Sequence, residues 1–196
     1  MPRRLWPALL ALLAACSQHA PPAWRLTDID GHLPNLRLHL TDGEGRTVTQ
    51  RNYLGKVVVL YFGYTHCPDE CPLTMTHLHL VMQRLGPLAG DVRILFVSVD
   101  PARDTPPVVG RYAAAFDPRA VGLTGAMSEI EALAKRYRVA FERGPDLGDG
   151  AYDVNHSSAI YVFDAHGRAR LLASPADSDA DIAHDLRILI GREHLS

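Results

Sequence analysis

The stretch that most constrains this chain runs from Val57 to Leu80 and reads VVVLYFGYTHCPDECPLTMTHLHL. Val57, Val58, Val59, Leu60, Tyr61 and Phe62 form an unbroken β-branched and aromatic run. A strand with one wet face alternates polar with apolar residues, so this run fits a strand covered on both faces, as in an α/β sheet. The pattern then changes period: Leu73, Thr76, Leu80, Val81 and Leu85 recur at helical spacing. Pro72 suits a first helical position, where its missing N–H breaks no bond, and Cys71 is expected to cap the helix. Pro72 also disfavours α geometry at Cys71, which makes Cys67 to Cys71 a tight loop with both sulfurs at its mouth. A thiol beside the positive end of a helix has its thiolate stabilised. Such a pair suits a soft metal or thiol redox work, and the bland alternative is a buried or plainly disulfide-bonded pair. Strand-to-helix turns are where α/β folds place their chemistry, which favours the active reading.

The amino terminus decides how many thiols count. Arg3 and Arg4 precede a short apolar core, Leu5 to Ala15, in the manner of a signal sequence. That core is about half the ~20 residues needed to cross a bilayer as a helix. Leu13-Ala14-Ala15-Cys16 resembles the lipobox of bacterial lipoproteins, in which the cysteine is lipidated and begins the mature chain. The expected organisation is a lipoprotein signal peptide over residues 1–15, a tether over 16–25 and one domain over 26–196. With Cys16 removed from the three cysteines, only Cys67 and Cys71 remain to pair. Outside the cytoplasmic membrane they are expected as a disulfide unless a metal or a reductant holds them otherwise. A net charge of -2 without a basic patch argues against nucleic acid as a partner. Among ten histidines, His77 and His79 alternate with Leu78 and Leu80 and need no ligand role.

The remaining chain alternates strands and helices. Leu36 to Leu40, a turn at Asp42-Gly43-Glu44-Gly45 and Arg46 to Thr49 predict a hairpin ahead of the central strand. Val92 to Val99 predicts a second buried strand, parallel to the first in a βαβ unit. Helices are expected after Asp104-Thr105-Pro106-Pro107 and from Ser128, with short strands at Ala120 to Leu123 and Val139 to Glu142. Tyr152 to Ser158 leads into a strand at Ala159 to Phe163, Arg168 to Ala173 pairs back, and Asp179 to Ile190 closes the chain as a helix with Ile182, Leu186, Leu189 and Ile190 inward.

This order is that of a thioredoxin-like fold, an α/β class with a central mixed sheet, flanking helices and an added N-terminal β-hairpin. Three motifs narrow it. Thr65-His66-Cys67-Pro68-Asp69-Glu70-Cys71-Pro72, Ser98-Val99-Asp100-Pro101-Ala102-Arg103-Asp104-Thr105-Pro106 and Val154-Asn155-His156-Ser157-Ser158 together resemble the Sco/SenC family of copper-binding proteins, over about Leu54 to Leu172. The resemblance implies that Cys67, Cys71 and His156 are ligands of copper, as Cu(I) or Cu(II), and that the cargo goes to the dinuclear copper centre of cytochrome c oxidase subunit II. It also implies an alternative, in which Cys67 and Cys71 act as a redox pair that keeps the oxidase cysteines reduced. A periplasmic thiol reductase or a copper donor would be a further partner, and the lipid anchor would hold the protein to a bacterial membrane facing the periplasm.

Two thiolates and an imidazole suit copper in either oxidation state. Zinc accepts the same atoms, but a structural zinc site is closed by a fourth protein ligand, and none is evident. His66 adjoins Cys67, yet neighbours in a loop point apart, so it is not expected to ligate. Asp153 is expected to orient His156 through its second nitrogen. Ordinary thioredoxins carry a cis-proline before the strand facing their cysteines. Asn155-His156-Ser157-Ser158 has no proline there, which weakens a general oxidoreductase reading without abolishing it.

Overall fold

The computed structural model describes residues 23–146, 148 and 152–193. Its elements are β1 (Thr27–Asp28), β2 (His39–Asp42), β3 (Thr47–Thr49), β4 (Val57–Gly63), α1 (Glu70–Leu85), β5 (Val92–Ser98), α2 (Pro106–Phe116), β6 (Ala120–Thr124), α3 (Met127–Arg136), β7 (Phe141–Arg143), β8 (Val154–His156), β9 (Ile160–Phe163), β10 (Ala169–Ala173) and α4 (Asp179–Glu193). Eight strands form one mixed sheet in the order β1-β10-β9-β4-β5-β6-β2-β3, while β7 and β8 pair apart from it.

All seven residues of β4 are buried, which is what an unbroken apolar run requires. It lies parallel to β5 and antiparallel to β9, and β5 is in turn parallel to β6. The expected hairpin forms as β2 and β3, and it is β6, not β4, that it extends, with Thr41 opposite Thr124. Helix α2 lies close on β6 because Gly122 has no side chain: a Cβ there would stand 2.1 Å from the Val109 carbonyl oxygen. The apolar stripe of α4, Ile182, Leu186, Leu189 and Ile190, is buried as its spacing predicts.

Helix α1 differs from expectation in phase. It begins at Glu70 with Asp69 at the N-cap, so Cys71 lies inside the first turn rather than capping it. The buried face is Cys71, Thr74, Met75, Leu78, Val81, Met82 and Leu85. Leu73 is 71% exposed and Leu80 42%. Two residues turn a helix through about 200°, so once Cys71 is anchored inward Leu73 must face water.

The first described residues are fastened to α4. The backbone N–H groups of Arg25 and Leu26 both donate to Asp185 Oδ2 at 2.9 Å, and the Arg25 guanidinium pairs with Asp181. Asp185 is fully buried, so those N–H groups are the partners its carboxylate needs. Strand β1 then runs antiparallel to β10, with Thr27 opposite Leu172. Leu172 faces Tyr161 and Tyr161 faces Leu60, so the chain comes into the sheet from the end at which β4 stops. Among the described residues no helix is long and apolar enough to cross a membrane, and Cys16 with its apolar core lies outside them.

Candidate metal centre

Strand β4 ends at Gly63, and the chain turns through Tyr64 to Asp69 into α1. The turn closes with the Cys67 N–H donating to the Tyr64 carbonyl at 3.3 Å. It is held from below by a buried carboxylate: Asp104 accepts the Thr65 N–H at 2.9 Å, the Thr65 hydroxyl at 2.6 Å and the Ser98 hydroxyl at 2.6 Å. Gly63 makes the seat for the second sulfur. A Cβ there would stand 2.9 Å from Cys71 Sγ and 2.8 Å from the Phe96 ring, closer than real side chains approach.

The two thiols are not equivalent. Cys67 is partly exposed at the mouth, while Cys71 is fully buried; both are free. The Cys71 N–H donates to Cys67 Sγ at 3.4 Å. The expectation that both sulfurs face the mouth therefore holds for Cys67 alone. Burial pushes the Cys71 thiol up to about 12, against the thiolate stabilisation expected at the helix terminus. Inside the core the cost of desolvating an anion outweighs a half-charge at a helix end.

His156 arrives from the other direction. It ends β8, opposite Phe141 of β7. Its Nε2 stands 3.3 Å from Cys71 Sγ, and its Nδ1 lies 3.1 Å from the Ser157 carbonyl oxygen. A carbonyl only accepts, so Nδ1 carries the proton and Nε2 presents its lone pair to the sulfurs. Asp153 thus does not orient His156; the next residue's own backbone does. The rings of Tyr61 and Tyr64 stand edge-on to the imidazole at centroid distances of 6.1 and 6.0 Å. His66 lies outside the cluster, its Nδ1 3.1 Å from Thr65 Oγ1 and 3.6 Å from Asp104 Oδ1.

The ligating atoms of Cys67, Cys71 and His156 all lie within 4.8 Å of one another. With bonds of roughly 2.0–2.3 Å, three ligands spaced evenly in a plane around one ion stand about 3.5–4 Å apart, so the side chains fit a single soft ion with little adjustment. Cys67 and His156 border a cleft of about 380 Å³ whose rim carries Asp69, Glu70 and Asp153, while Cys71 is buried. A larger cleft of about 560 Å³ between β2 and α3 is lined by Arg37, Arg51, Glu129 and Arg136. It holds no thiol, and the donor chemistry selects the smaller one.

Two thiols and an imidazole converging at the end of the central strand of a mixed, helix-flanked sheet define a thioredoxin-like domain with a candidate centre for a soft metal ion. A family model described as SCO1/SenC matches residues 35–191, and the chain belongs to that family. Protein SCO2 homolog, mitochondrial, from Danio rerio is 40% identical over 151 residues, which are 76% of this chain and 54% of that protein. The chain thus spans about half the length of the curated relatives it matches. The structure of Bradyrhizobium japonicum ScoI with copper bound superposes with a TM-score of 0.72 at 36% identity, covering 79% of this chain and 98% of that one. BsSco, a member of the Sco family of cytochrome c oxidase assembly proteins in which a disulfide switch has been identified, gives a TM-score of 0.62 at 28% identity over 80% of this chain and 95% of its own.

Reading the sequence missed Gly63, whose only signal is a glycine ending an otherwise bulky buried strand. It also assigned no role to Tyr152, four residues ahead of His156, or to Asp100, Arg103 and Arg143, which the fold gathers around Tyr152.

Proposed function

We propose that this chain is a copper metallochaperone of cytochrome c oxidase assembly, which takes copper on Cys67, Cys71 and His156 and delivers it to the dinuclear copper site of subunit II. The observation that carries this reading is the convergence of the three ligand atoms within 4.8 Å. Two sulfurs and one nitrogen satisfy Cu(I) in a plane and leave room for a weak further ligand on Cu(II). Binding strips the proton from each thiol, so uptake is tied to proton release. Oxidation of Cys67 and Cys71 to a disulfide removes both anionic ligands and with them the hold on the metal.

A second reading is favoured by the free state of both thiols and the exposure of Cys67 at the mouth. Here Cys67 and Cys71 give two electrons and two protons to a disulfide of the oxidase subunit, which becomes two thiols while they become a disulfide. A periplasmic thiol reductase would then restore the pair, just as a copper donor would reload it in the first reading. Arg3, Arg4 and the apolar run to Ala15 support lipidation at Cys16 and a working position at a bacterial membrane facing the periplasm.

The test is copper titration of the full chain alongside Cys67→Ala, Cys71→Ala and His156→Ala. The native chain is expected to bind one copper with an intense thiolate charge-transfer band, and each variant to lose affinity. A His156→Ala chain with native affinity and spectrum overturns the assignment. In cells, failure of oxidase assembly in all three variants supports the chaperone, whereas His156→Ala sparing assembly supports the reductant.

A further inference from the structure

We propose that Asp100, Arg103, Tyr152 and Arg143 form a clamp that sets the distance of His156 from the two sulfurs, an inference that rests on the copper-centre reading. His156 sits on a hairpin, β7 and β8, which among the described residues pairs with no strand of the main sheet. A lone two-stranded hairpin is marginal in water, so side chains must fix its position. Tyr152, two residues ahead of β8, is one of them and is buried. Its hydroxyl donates to Asp100 Oδ1 at 2.7 Å, and its ring centroid lies 3.6 Å from Arg103 Cζ and 3.7 Å from Arg143 Cζ. Two guanidinium groups cannot share one position, so they cover opposite faces of the ring, each attracted by its π-face.

Arg103 also donates through Nε to Asp100 Oδ2 at 2.5 Å. From Asp100 the network continues to the cysteine loop. The Asp100 N–H donates to Ser98 Oγ at 3.0 Å, the Ser98 hydroxyl to Asp104 Oδ2, and Asp104 holds Thr65, two residues ahead of Cys67. Asp100 and Asp104 are buried, where polar groups without partners are costly, so breaking this path is penalised. It joins the sulfur-bearing loop to the imidazole-bearing hairpin without touching the ligands themselves. Tyr152 is therefore a positioning residue, with Arg103 and Asp100 as its holders.

The experiment measures Cu(I) affinity of the full chain by competition with a chromophoric chelator, together with the Cu(II) charge-transfer spectrum and the melting temperature of the metal-free chain. Variants are Tyr152→Phe, which keeps the ring and loses only the hydroxyl, His156→Ala and the two combined. Tyr152→Phe is expected to weaken binding about 10- to 100-fold, the range for partners behind metal ligands, and to shift the band. The melting temperature should stay within about 2 °C. Because Tyr152 acts through His156, it should add nothing to the His156→Ala loss. A Tyr152→Phe loss that persists in full beside His156→Ala, or no loss at all, overturns the clamp while leaving the copper centre standing. Native affinity in His156→Ala removes the copper centre first and the clamp with it. Should Tyr152→Phe melt early, Arg143→Gln at an exposed position replaces it, and native affinity there also overturns the clamp.

Discussion

The two halves of the candidate centre stand on very different foundations. Cys67 and Cys71 follow β4, seven buried residues paired on both sides by β5 and β9. His156 ends β8, three residues with a buried, exposed and half-buried member, paired only to β7. Local opening is cheap where few apolar groups are buried and costs up to the full folding free energy where many are. The difference teaches that the sulfurs are given a fixed frame while the imidazole is brought to them by a small part fastened through side chains. In the copper reading proposed above, such a site would take up or surrender an ion by a movement of His156, without disturbing the core.

Substitutions in the two halves should show unequal costs. Leu60→Ala in β4 is expected to cost about 2–5 kcal/mol, the range for emptying a buried leucine site, and Val154→Ala in β8 about 1–2 kcal/mol from two lost methyl groups. Urea unfolding of the two variants checks it, and a larger loss at Val154 would reverse the ranking of the halves. Gly63→Ala tests whether the frame holds the sulfur. The added methyl must displace Cys71 Sγ or the Phe96 ring, at an overpacking cost of about 1–3 kcal/mol, with weaker copper binding in the same titration. Native copper affinity in a destabilised Gly63→Ala chain would show that the seat is not what fixes Cys71.

Acid sharpens the same contrast with the smallest effect. Burial by itself would raise Asp117, but hydrogen bonds from Arg119 and His79 outweigh it and hold its carboxyl below the ordinary value of 3.8. The folded chain gives up this proton more readily than the unfolded one. The stabilisation is therefore complete above about pH 5 and is lost as pH falls through 3.8 and below. Asp117 joins α1 to the turn before β6, through His79 and Arg119 and not through the hairpin. Melting temperature followed from pH 6 to 3 should fall less steeply in Asp117→Asn; equal slopes would remove this carboxylate from the account.

What could be read from residues alone follows the same division. β4, β5, α2 and α4 were legible because their neighbours in sequence are their neighbours on a face, and periodicity reports that directly. Val154-Asn155-His156 carries no alternation, and its pairing with β7 is decided by tertiary contacts, so only resemblance to a family drew attention to His156. The phase of α1 was misjudged because the burial of Cys71, set by Gly63 and Phe96, leaves no trace in local pattern. The partner of His156 Nδ1 proved to be a backbone carbonyl, and backbone acceptors are the same in every sequence. Arg103, Arg143 and Tyr152 are separated along the chain, and the stacking that joins them has no spacing rule.

The strand that opens the sheet has one more consequence. β1 comes in at the end where β4 stops, three strand spacings away in the order β1-β10-β9-β4, or roughly 14 Å at 4.8 Å per strand. The thiols therefore sit at the end of the sheet from which the chain arrives, and not at the opposite end. Under the lipidation proposed at Cys16, a partner reaching Cys67 would work between the membrane and the domain, and the segment ahead of residue 23 would set that gap. Each residue of it widens the clearance by at most about 3.3–3.6 Å. The length of that segment would thus decide how thick a partner the centre can serve.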